Sequence, residues 1–178
     1  MEKIAVLGAL KNNLAGGQLK YVAGSYKSHL DSAMALVLSG DTSAAFRQYV
    51  LALASDPVNA ERTLATVSDE LVQKQQYARA IAQYNLLMKL NTTNPFYYFL
   101  RGCAHFGIGH LPDAVSDWEV AIKMNSKDVQ QSASYNLSVA YDSLRDPSLA
   151  LFYMEKAQKL GYSVASDYAT KIRRKAGK

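Results

Sequence analysis

Cysteine occurs once in this chain, at Cys103. One thiol excludes an internal disulfide and a cysteine-based zinc site. It fits a reducing compartment, so a cytoplasmic location is the expectation. Histidine occurs only at positions 29, 105 and 110. Cys103 and His105 are two residues apart on a predicted helix and point in different directions. That spacing does not provide the hydrogen-bond reach of a thiolate–imidazole pair. The three histidines read as packing or surface groups, so no metal is expected. No glycine-rich phosphate loop is present either. Gly107 and Gly109 sit at a predicted helix end, without the strand that precedes a dinucleotide site. The chain therefore reads as non-enzymatic and free of cofactors. No run approaches the roughly 20 apolar residues that span a bilayer. Proline occurs four times, at 57, 95, 112 and 147. None falls in a predicted helix interior, where each would cost about 3 kcal/mol.

What is present is an ordinary globular composition: 178 residues, 49% hydrophobic and 20% charged. One domain is expected. The net charge of +5 comes from the end of the chain. Lys171, Arg173, Arg174, Lys175 and Lys178 are five cations with no acid among them. This tail is either a solvated terminus or a contact for an acidic surface. No motif for specific nucleic-acid binding accompanies it. The apolar stretch Ile4–Leu10 is too short and too poorly flanked for an export signal, and residues 1 to 15 read as a helix of the mature protein.

One block recurs at a nearly fixed interval. Ala45-Phe46-Arg47-Gln48-Tyr49 returns as Ala80-Ile81-Ala82-Gln83-Tyr84 and as Ala114-Val115-Ser116-Asp117-Trp118. In Ala150-Leu151-Phe152-Tyr153-Met154 methionine replaces the aromatic. The alanines are 35, 34 and 36 residues apart. Twelve residues before each alanine stands a small residue: Ala33, Ser68, Gly102 and Ser138. Seven after it stand Ala52, Leu87, Ala121 and Ala157. Two antiparallel helices approach closely only where small side chains face each other, with a bulky residue filling the adjacent gap. A period of this length means stacked helix pairs.

In these features the chain resembles the tetratricopeptide repeat family. The resemblance implies an all-α, right-handed superhelix of about four helix–turn–helix units. The units fall near 26–60, 61–94, 95–130 and 131–162, within an array over 18–162. Residues 1–17 are expected to hold an N-terminal helix over 1–15 and the Gly16-Gly17 break, and 163–178 a C-terminal capping helix with the basic tail. Tyr162, Val164, Tyr168 and Ile172 are the expected inward positions of that cap.

In the family, the second, fifth, ninth and twelfth residues of each unit line a concave groove. Here they are Lys27, Leu30, Met34 and Val37; Arg62, Ala65, Asp69 and Val72; Phe96, Phe99, Cys103 and Phe106; and Ser132, Tyr135, Val139 and Asp142. The stripe is apolar, which implies an occupant: a partner segment or the chain's own N-terminal helix. Packing between neighbouring units is the alternative place for Phe99 and Phe106. Some family members clamp a peptide carboxylate with Lys, Asn and Arg. Leu30, Met34, Thr66, Phe96 and Leu100 stand at those positions, and only Asn136 fits in the next frame, so no clamp is expected.

The resulting expectation is a non-enzymatic module that holds a partner polypeptide in an apolar groove, as a chaperone or adaptor. Its layout is similar to that of small bacterial secretion chaperones. Leu30, Met34, Val37, Phe96, Phe99, Phe106, Tyr135 and Val139 supply the apolar contacts, and Arg62, Asp69 and Asp142 the polar ones. The alternative is a scaffold that self-assembles through residues 1–15 or the groove.

Overall fold

Helix starts are where local sequence acts most plainly. Asp41, Asp56 and Asp146 accept the backbone N–H of Ala44, Asn59 and Leu149 at 2.8, 3.1 and 3.0 Å. Asn94 accepts that of Phe96 at 3.0 Å. Each such cap contributes about 1 kcal/mol by satisfying an orphan donor. All four prolines lie in the first turn of a helix, where no N–H is needed.

The computed structural model describes residues 26–178. The expected helix over 1–15 and the Gly16-Gly17 break lie outside the described residues. The described chain is all-α, with no strand among its described residues. The helices are α1 (Tyr26–Ser39), α2 (Thr42–Ser55), α3 (Pro57–Gln73), α4 (Tyr77–Leu90), α5 (Pro95–Gly107), α6 (Leu111–Ala121), α7 (Lys127–Ser143), α8 (Pro147–Leu160) and α9 (Ser166–Lys175). The chain divides at Thr92/Thr93 into two compact units. In the first, α1 packs on α2 and α3 on α4. In the second, α5 packs on α6 and α7 on α8, and α9 lies against α8. Two helices begin earlier than the repeat phase implies. Pro57 opens α3 and Lys127 opens α7, ahead of Glu61 and Gln131. Pro57 and Pro95 each start a helix.

The turn inside each hairpin has one recurring geometry. Gly40, Gln75, Gly109 and Arg145 take φ of +86°, +58°, +77° and +61°. Each stands five residues before one of the repeat alanines, and each ends the first helix in the left-handed conformation. Glycine does this freely, whereas Gln75 and Arg145 do it at a steric cost.

The core follows the period. Ala45, Ala80, Ala114 and Ala150 are all 0% exposed. Tyr49, Tyr84, Trp118 and Met154, four residues on, are no more than 2% exposed. Ala33, Ser68, Gly102 and Ser138 are buried opposite them. Ser68 Oγ reconciles its burial by donating to the Leu64 carbonyl at 2.8 Å, and it also lies 2.9 Å from Gln83 Oε1.

Candidate partner-binding surface

In the N-terminal unit the candidate residues separate by burial. Leu30 is 2% exposed and belongs to the core, which corrects its expected place on an open groove. Met34 and Val37 are half-buried on α1. On α3, Arg62 is exposed, and the half-buried Asp69 accepts a hydrogen bond from the Tyr84 hydroxyl at 3.0 Å. Asp69 is therefore tied to α4.

In the C-terminal unit the aromatic stripe runs down α5. Phe96, at its start, is 48% exposed. Phe99 and Phe106 are half-buried and pack against the cluster built on Trp118, Ala133 and Leu137. The Phe106 ring lies 5.7 Å from that of Trp118, tilted by 40°. The Trp118 indole donates to the Phe99 carbonyl at 3.0 Å. The stripe thus grades from open at Phe96 to packed at Phe106.

Cys103 lies on the same face, and Asn136 Nδ2 reaches its sulfur at 3.5 Å. The Asn136 amide is therefore engaged with a neighbouring helix. Burial pushes the Cys103 thiol up to about 11, against smaller opposing hydrogen bonds from Trp118 and Asn136. At neutral pH it is a protonated, weakly reactive thiol.

The α7 end of the stripe is covered by the chain itself. Tyr135 stacks on Tyr162 at 4.7 Å and meets Tyr168 edge-on at 5.8 Å. The Tyr168 and Ser138 hydroxyls are 2.9 Å apart. Asp142 receives Lys171 at 2.8 Å and also binds Lys175. Burial raises the Asp142 carboxyl, but the two lysine hydrogen bonds and charges outweigh it and hold the group below its usual range. Ile172 and Ala169 are buried beneath, with Val164 and Tyr168 packed at the side. Tyr135 and Asp142 are therefore engaged by the C-terminal segment, and Val139 stays half-buried beside them. Two of the five tail cations serve this contact, while Arg173, Arg174 and Lys178 are exposed.

One set of residues escaped the sequence reading. The residue before the repeat aromatic is polar in three units, and each reaches back to the first helix of its hairpin. Gln48 Oε1 lies 2.9 Å from His29 Nδ1, and Gln83 pairs with Ser68. Asp117 takes the Arg101 guanidinium through two bonds, with Nε at 2.8 Å. The Asp117 hydrogen bond, opposed by burial, raises the guanidinium above its ordinary value. The signal was legible as Gln48-Tyr49, Gln83-Tyr84 and Asp117-Trp118.

These hairpins define an all-α helical-repeat protein. Residues 131–160, spanning most of α7 and α8, match the tetratricopeptide repeat model. That hairpin is thus similar to a tetratricopeptide repeat. Sperm-associated antigen 1 of Rattus norvegicus is 29% identical over 85 residues, which are 48% of this chain. They are only 9% of the length of that relative. Among solved structures, the MamA protein is similar at a TM-score of 0.62 and 25% identity, over 85% of this chain and 82% of that one. The pilF protein of Pseudomonas aeruginosa is similar in fold, at a TM-score of 0.59 and 18% identity, over 97% of this chain and 83% of that one. No described helix is long and apolar enough to cross a membrane.

Proposed function

We propose that the protein is a non-catalytic binding module, and that an apolar segment of a partner polypeptide docks on α5 of the C-terminal unit. The observation that carries this reading is Phe96. It is a large aromatic, 48% exposed, at the head of a stripe that continues into Phe99 and Phe106. A partner side chain of leucine size contributes about 1.5–3 kcal/mol when fully buried there. Two or three such anchors suffice for micromolar affinity once association costs are met. Met34, Val37 and Arg62 offer a second, smaller surface within the N-terminal unit. An adaptor or chaperone role follows from holding such a segment, and Arg173, Arg174 and Lys178 favour an acidic flank on the partner.

Phe96→Glu is the cleanest test, because Phe96 is exposed whereas Phe99 packs on the core. The variant should keep its helicity and fail to capture the partner that the unaltered protein retains from native lysate. Equal capture by both proteins would refute the reading.

Self-association is a second reading, favoured by a separate observation. Leu149 and Phe152 are 37% and 56% exposed one turn apart on α8. If this face joins two copies, light scattering will show a concentration-dependent dimer that Phe152→Glu abolishes. A monomer at all concentrations removes this reading.

A further inference from the structure

Three potential ligands converge at the turn between α5 and α6. His105 lies in the last turn of α5, His110 is the residue that caps α6, and Asp113 lies in the first turn of α6. One ligand atom from each lies within 4.8 Å of the other two. His110 Nδ1 is 3.7 Å from Asp113 Oδ2. The two imidazoles are nearly parallel, with centroids 6.1 Å apart. A backbone bond from His110 N–H to the His105 carbonyl, 2.9 Å long, ties the two histidines together across the turn.

His110 occupies the N-cap position without making a side-chain cap bond. His105 Nδ1 is buried without a hydrogen-bond partner among the described residues. Such an orphaned nitrogen calls for an explanation. An ion here would overturn the expectation that the three histidines are packing or surface groups.

We propose that His105, His110 and Asp113 form a binding site for a divalent transition-metal ion of the zinc type. Two imidazoles and one carboxylate suit zinc, nickel or cobalt, whereas magnesium and calcium prefer all-oxygen sites. Tetrahedral zinc with bonds of about 2.0–2.1 Å holds its ligand atoms about 3.4 Å apart. The His110–Asp113 pair is close to that spacing. Three protein ligands leave a fourth position for water or for a side chain of a bound partner. An ion there would clip the end of α5 to the start of α6.

Isothermal titration of the tag-free full chain with zinc chloride tests the site. One ion should bind per chain. His110→Ala and Asp113→Asn should each weaken binding by at least about tenfold. Both side chains are well exposed, at 58% and 63%, so the variants keep the fold, as their helicity will report. With cobalt in place of zinc, visible absorption should develop in the unaltered protein and fade in both variants. The proposal is overturned by an absence of saturable zinc binding. It is equally overturned if both variants bind zinc as tightly as the unaltered chain.

Discussion

A methyl group added at Gly102 would stand 2.6 Å from Nε1 of Trp118 and 2.8 Å from its Cδ1. The indole cannot retreat easily. It is 2% exposed, and it donates to the Phe99 carbonyl at 3.0 Å. The third hairpin is thus closed by a residue that has no side chain against the largest one in the chain.

Gly102→Ala tests this contact. In an unconstrained helix the change would stabilise, since alanine is favoured over glycine by about 1 kcal/mol. Overpacking a tight core costs about 1–3 kcal/mol. The clash should win, leaving a net loss of up to about 2 kcal/mol. Urea denaturation will show a lower midpoint at an unchanged slope.

The Arg101–Asp117 pair supports the same hairpin from its polar side. Removing Asp117 takes two charge-assisted bonds from the Arg101 guanidinium in a largely buried setting. For such pairs the loss is about 3–5 kcal/mol when burial is complete. Arg101 keeps 23% exposure, so Asp117→Ala should cost less, about 2–3 kcal/mol. In a double-mutant cycle, Arg101→Ala should cost little in a chain that already carries Asp117→Ala. Additive losses would show that the bond does not couple the two helices.

Gln75 and Arg145 hold left-handed backbone that Gly40 and Gly109 adopt without penalty elsewhere in the repeat. Left-handed backbone costs a residue with a Cβ about 1–2 kcal/mol, and the added chain entropy of glycine offsets part of the gain. Gln75→Gly and Arg145→Gly should each therefore raise stability by up to about 1 kcal/mol. Thermal denaturation of each variant checks the direction of the change.

Asp142 makes docking of α9 pH-dependent. Its folded pKa lies below the ordinary 3.8, so its contribution is complete above that value. It is lost as pH falls through the folded value, when the carboxyl takes up a proton. Docking should be constant from pH 5 to 8 on this account and weaken below about pH 4. Asp142→Asn should weaken it at neutral pH by about 0.5–1 kcal/mol, since both lysines are partly exposed. Hydrogen exchange of the α9 amides will register both effects, and α9 protection should be insensitive to acid in the Asn variant.

The phase of the hairpins was already legible in the spacing of small and bulky residues. Ala80, Tyr84 and Ser68 had to be buried together, because only small residues let two helices approach and only a ring fills the gap beside them. The chain order of helices and turns followed from the same period. Which candidate contacts remain open was decided by tertiary packing. Periodicity assigns a side chain to a helix face, but it does not state what lies over that face. Leu30 and Phe96 occupy equivalent stripes, yet one is sealed and the other is half open. Tyr135 and Asp142 belonged to the expected groove until Tyr162, Tyr168 and Lys171 came to rest on them. Those partners are 27 to 33 residues distant in the chain, and only the folded path brings them into contact.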